Sequence, residues 1–337
     1  MPCSFSENHL NLGKLNGTRN LKPSELKVWQ RFLIVNADEL QILHHYVNGL
    51  YHGISLRPAH EKIWRDIVPQ DAIHHKPLLH GIIAITAIQL SYRVLNTRKK
   101  YWITAMHHHA LALSSLRIGL NSVTAENSDA LFSLSNLVTG FSFALGQNIA
   151  PDSKPIEEML GIAELLRGAQ AITKMCRPWL QQGKLRSLFQ FDILSMPENT
   201  SRELDDALER LRQSIHLAQV DQEEKTIYEF AIDSLMKHLQ VRPSCFDNPV
   251  LALMWLVDID RKFLDLVKGY HPLALVIMGH FGAVLCEVQG RWWALPSGFR
   301  LISAIYAALD QEWHQFIMWP RQPISPVFQE SQLESPP

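Results

Sequence analysis

The sequence predicts an all-α protein, a helical array around buried central helices. Three observations predict it. Apolar residues recur at i, i+3, i+4 and i+7 through one segment of helix length after another. No stretch of period-2 alternation bounded by hairpin turns supplies a strand. A content of 47% hydrophobic against 19% charged residues in 337 is enough apolar material to bury some of those helices on every side.

Taken in order, residues 1–35 are polar and Gly/Asn-rich and read as a flexible leading segment. Asn36 followed by Glu39 is an N-cap pattern, and behind it Leu43, Tyr46, Val47, Leu50, Tyr51 and Ile54 make one continuous helical stripe. Helices are expected from about Leu78 to Leu95, Lys99 to Leu120 and Ser128 to Leu145, then from Ile156 to Gln182 behind Pro155 at a first-turn position. Thr200 with Glu203 opens another, Glu223 to Leu239 follows, and Pro249 starts the next. Two last helices are expected over His271 to Gln289 and Gly298 to Ile317. The segments at 78–95 and 271–289 are apolar nearly all round, as central helices are. From 321 to 337, Pro323, Pro326, Pro336 and Pro337 mark an irregular tail. The expected organisation is therefore a leader at 1–35, one helical domain at 36–320 and a Pro/Ser-rich tail at 321–337.

Composition removes several function classes. Thirty-two Lys and Arg against 33 Asp and Glu leave a net charge of −1, so no general positive field holds a phosphate backbone and no direct nucleic-acid contact is expected. Cys3, Cys176, Cys245 and Cys286 are widely spaced, which fits reduced thiols better than a zinc site or a disulfide framework. Neither metal nor cofactor is expected. The longest apolar run, Pro272 to Cys286, is about half a membrane span and is broken by His280; no membrane span is expected either.

The conspicuous motifs lose to plainer readings. His107-His108-His109, like His44-His45 and His74-His75, places adjacent residues about 100° apart on a helix, so they cannot converge on one ion. Gly140-Phe141-Ser142-Phe143-Ala144 approaches a nucleophile elbow, yet it lacks the second glycine and the preceding strand. Asp205-Asp206-Ala207-Leu208-Glu209 is similar to the metal-binding motif of class I terpene cyclases, but Leu204, Leu208, Leu211 and Ile215 form the apolar stripe and leave Asp206 and Glu209 facing water. In the C-terminal third, Tyr270, His271, His280, Phe281, Trp292 and Trp293 bring aromatic mass and a few polar tips into an aliphatic region. That is the composition of a hydrophobic pocket, and equally of a core.

Several stretches then resemble one known family in order and spacing. They are KPLLHGIIAITAIQLS at 76–91, Tyr101, Ala105 and His109 followed by ALALSSLRIGL, Glu126-Asn127 with Ala130-Leu131-Phe132, and Leu166-Arg167-Gly168. HPLALVIMGHFGAVL at 271–285, Trp292-Trp293, Trp313 and Trp319-Pro320 complete the series. Together, over about 37–320, they resemble the fungal-specific transcription factor domain of sterol uptake control regulators. The resemblance implies a small apolar ligand, of sterol or terpenoid kind, in a pocket of the C-terminal half that involves Phe281, Trp292, Trp293, Gly298 and Phe299. It also implies nuclear or cytoplasmic residence and action through protein partners or a homodimer. Two departures stand out: Ala294-Leu295-Pro296-Ser297-Gly298-Phe299 replaces the family's short glycine loop, and Cys3 alone stands where the family has a six-cysteine zinc cluster. Two alternatives follow. A truncated gene would lack the upstream zinc-cluster exon, and a repurposed cyclase- or isomerase-like enzyme would use the same pocket with His280, Asp258 and Asp260 as its acid/base groups.

Overall fold

The computed structural model describes residues 37–55, 58–146, 153–189, 202–217, 220–240, 249–287, 292 and 294–321. The chain divides after Gln41 into two compact units, and the three buried hydrophobic clusters lie in the second, from Ile42 onward. Among the described residues there are helices and turns and no strand.

Helix α1, Ala37–His45, runs directly into a π-helical turn, Tyr46–Leu50, and then α2, Tyr51–Ile54. A second π-turn, Ile63–Ile67, joins α3, Pro58–Lys62, to α4, Val68–His74. The periodicity predicted neither α3 nor α4. Helices of five and seven residues joined by a wider turn never complete the three or more turns that make a stripe legible. Helices α5, Lys76–Arg93, α6, Arg98–Gly119, and α7, Ser128–Leu145, match their expected spans. They pack on one another, and α5 is buried at most positions from Gly81 to Ser91.

Helix α8, Pro155–Leu180, opens with Pro155 as expected and divides its buried side chains between two cores. Ile156, Met159, Ile162 and Ala163 belong to the C-terminal cluster, whereas Ile172, Cys176 and Leu180 belong to the N-terminal one. The C-terminal cluster is built by α9, Arg202–Leu217, α10, Gln222–Gln240, α11, Pro249–Asp258, α12, Arg261–Lys268, and α13, Pro272–Glu287. Helix α12 is also absent from the sequence reading; Asp260 caps it by accepting from the Lys262 amide at 2.9 Å.

The single helix expected over 298–317 is in fact two, α14, Ala294–Ala308, and α15, His314–Arg321. Asp310 between them is extended. The His314 ring bridges the break, Nε2 lying 3.1 Å from the Tyr306 carbonyl and 3.0 Å from that of Leu309, so the last turn of α14 is capped from outside. The caps expected at Asn36 and Thr200, and the segments 1–35 and 322–337, lie outside the described residues.

Candidate functional site

The aromatic group predicted at 270–299 does not form one cluster. Helix α13 has 16 residues and is about 24 Å long, with Tyr270 and His271 before its first turn and Trp292 beyond its last. Tyr270 takes φ 59°, the left-handed conformation that favours glycine. The Tyr270 amide donates to Val267 O and the His271 amide to Leu266 O, which together close the C-terminus of α12 as a Schellman motif. The Tyr270 ring is 44% exposed, and its hydroxyl donates to Glu157 at 3.2 Å. Both residues form a helix cap on the surface, not a pocket wall.

His280 and Phe281 lie mid-helix and are fully enclosed. His280 Nδ1 donates to the Val276 carbonyl one turn back, at 2.8 Å, and burial pushes its pKa down to about 4, so the ring is neutral at neutral pH. Phe281 stacks on Trp255 with centroids 4.8 Å apart, and Trp255 Nε1 donates to Ala231 O. Gly298 is consumed by helix packing. A Cβ there would sit 2.5 Å from Gly282 O and 2.7 Å from Cys286 Sγ, which shows how closely α14 crosses α13. Phe299 is half-buried on α14, and Trp293 lies outside the described residues.

Neither acid paired with His280 in the enzyme alternative faces it. Asp258 is exposed and bonded to His238 at 2.9 Å, and Asp260 is the exposed cap of α12. Asp206 and Glu209 are exposed while Leu208, Leu211 and Ile215 are buried, the arrangement the helical wheel predicts. The three histidines of α6 diverge. His108 is buried against His80, Nδ1 to Nδ1 at 2.9 Å, and His109 stacks on Phe141. Ser142 donates back to Val138 O within α7.

Trp292 is different. Half-buried, it packs against all three hydrophobic clusters, and its indole lies on Gly53, where a Cβ would come within 2.8 Å of Nε1. That Nε1–H is buried without a hydrogen-bond partner, as are the Tyr46 hydroxyl and the Trp64 indole N–H. Tyr46 and Trp64 belong to one cluster, Trp292 packs against it, and the two π-turns that carry Tyr46 and Trp64 touch. Burial alone drives the Tyr46 hydroxyl well above its usual pKa, so it stays protonated. Each orphaned donor costs about 1–3 kcal/mol. The stripe containing Tyr46 was visible in the sequence. Trp64 and Gly53 were not, because nothing local marks Trp64 for that cluster or Gly53 as the neighbour of a residue more than 200 positions away.

Residues 41–158, about a third of the chain, match the fungal specific transcription factor domain. The motif Leu166-Arg167-Gly168 has a structural task here: Arg167 donates to Leu256 O at 3.3 Å and to Ile259 O, closing the C-terminal end of α11. A Zn(2)-C6 fungal-type transcription factor of Gibberella zeae is 22% identical over 306 residues, 84% of this chain and 61% of that protein. Sterol uptake control protein 2 of Saccharomyces cerevisiae is 23% identical over 163 residues, 47% of this chain and 17% of that protein. The chain thus spans less than two thirds of either relative's length. Among the described residues no single helix is long and apolar enough to cross a membrane.

Proposed function

We propose that this chain is the ligand-sensing, regulatory part of a fungal transcription regulator of the sterol uptake control type. It binds a small, largely apolar molecule of sterol or terpenoid kind that carries an oxygen, and it acts in the nucleus through protein partners without touching DNA itself. The observation that carries this reading is the set of buried, unpartnered donors on Tyr46, Trp64 and Trp292 in an otherwise apolar surround. An indole N–H can only donate, so the complementary group is a hydroxyl, carbonyl or ether oxygen. Because Trp292 touches all three clusters, an occupant there alters the packing of the whole helical unit. The relative named for sterol uptake control supports the ligand class. The net charge of −1 and the four scattered cysteines support the absence of DNA contact by these 337 residues.

The test is the ligand-induced rise in melting temperature with a sterol alcohol, which grows as RT ln(1 + [L]/Kd). Wild type should show it, and Trp292→Phe and Tyr46→Phe should lose most of it. Tyr46→Phe should raise the unliganded melt, since it removes a buried hydroxyl that has no partner. If both variants keep the full rise, the site is misplaced. If neither sterols nor terpenoids move the wild-type melt, the ligand reading is wrong.

A further inference from the structure

No Asp or Glu occurs between Asp71 and Glu126, although the whole chain is nearly neutral. Lys76, Arg93, Arg98, Lys99, Lys100 and Arg117 all fall in that interval. Helix α6 lies within it and has one face packed on α5 and α7. Its other face leaves large apolar side chains in solvent: Ile103 is 57% and Ile118 68% exposed, with Met106 and Leu111 exposed between them. At 3.6 residues per turn these four lie within an arc of about 140°. Lys99, Lys100 and Arg117 fall in the same arc and are exposed, so the apolar strip has cations at both ends. Single exposed apolar residues are ordinary on a surface, but a helical row of them is not.

We propose that this face of α6 docks an amphipathic helix of a partner protein, one with an apolar stripe and acidic residues at both ends. The strip from Ile103 to Ile118 is about 22 Å long, which matches roughly four helical turns of the partner. Self-pairing through the same face fails on charge, because parallel or antiparallel alignment sets cations against cations with no acid on either helix. A phosphate backbone would leave the apolar strip uncovered. A uniformly anionic bilayer has no counterpart to cations confined to the two ends of a helix already fixed against α5.

The experiment measures fluorescence anisotropy of a labelled synthetic helix with leucines at i, i+3, i+4 and i+7 and glutamates in its first and last turns. It is titrated with the full chain and compared with a lysine-for-glutamate version of the same peptide. The glutamate peptide should bind at least tenfold more tightly. The pair Lys99→Glu, Lys100→Glu and the pair Ile103→Ser, Ile118→Ser should each weaken it at least tenfold, with unchanged circular dichroism because all four side chains are on the surface. Equal binding of the two peptides would show plain hydrophobic adhesion and overturn the proposal. Wild-type affinity in both double variants overturns it as well. So does a result in which phosphatidylserine vesicles, duplex DNA or a second copy of the chain occupy this face and the glutamate peptide does not.

Discussion

His280 should make the protein lose stability in mild acid, by an amount the structure sets. The ring is enclosed in α13 and its pKa is lowered to about 4, whereas in the unfolded chain it titrates near 6.5. A depressed folded-state pKa means that the unfolded chain takes up the proton first as pH falls. The stability associated with the neutral ring is therefore complete above about pH 6.5 and drains away as pH drops toward 4. Between pH 7 and pH 5 the loss from this one residue is about 2 kcal/mol. His280→Asn removes the titration and keeps a side-chain N–H in reach of the Val276 carbonyl. Urea unfolding of both proteins at pH 7 and pH 5 gives the comparison. His108 and His109 are also lowered to about 4, chiefly by burial, so wild type and variant should both weaken at pH 5, the variant by about 2 kcal/mol less. Equal losses would mean that His280 is protonated or solvated in the folded state, and the reasoning would fail.

Three further outcomes are expected. Gly298→Ala forces a methyl against Gly282 O and Cys286 Sγ and should cost about 1–3 kcal/mol, while Gly168→Ala, with nothing within 4 Å, should gain up to about 1 kcal/mol; thermal melts of the two separate packing from helix propensity. Tyr270→Gly should raise stability by about 1 kcal/mol by relieving the left-handed conformation, less the small contribution of the exposed bond to Glu157; Tyr270→Ala, which loses that bond and keeps the strain, should melt below it. Arg167→Met leaves the Leu256 and Ile259 carbonyls without their donor and should cost about 1–3 kcal/mol, with faster amide hydrogen exchange at the C-terminal end of α11 as the local sign.

The long helices were legible because helix length and apolar patterning are local properties: α5 is apolar nearly all round, and α6 through α8 each run four turns or more. The short α3 and α4 on either side of the second π-turn were not, since neither is long enough to set a stripe of its own. The site was legible only in composition. Aromatic content drew attention to 270–299, but whether a ring ends as a cap, a core stack or a buried unpartnered donor depends on which end of α13 it occupies. Tyr270, Phe281 and Trp292 are close in sequence and meet three different fates. Gly53, on which Trp292 lies, and the cluster that holds Tyr46 and Trp64 are brought to it by the tertiary fold.

Helix α8 is a rod about 39 Å long with its first half set in one core and its second half in the other. Close-packed interiors tolerate little sliding, so a displacement that begins among α11, α13 and α14 has two outlets. It can carry the rod bodily and drag Ile172, Cys176 and Leu180 through the N-terminal cluster, or it can flex the rod near Gly161 and Gly168, where a Cβ would meet nothing within 4 Å. Stiffening both glycines to alanine would close the second outlet and leave α8 to act as a lever between the two cores.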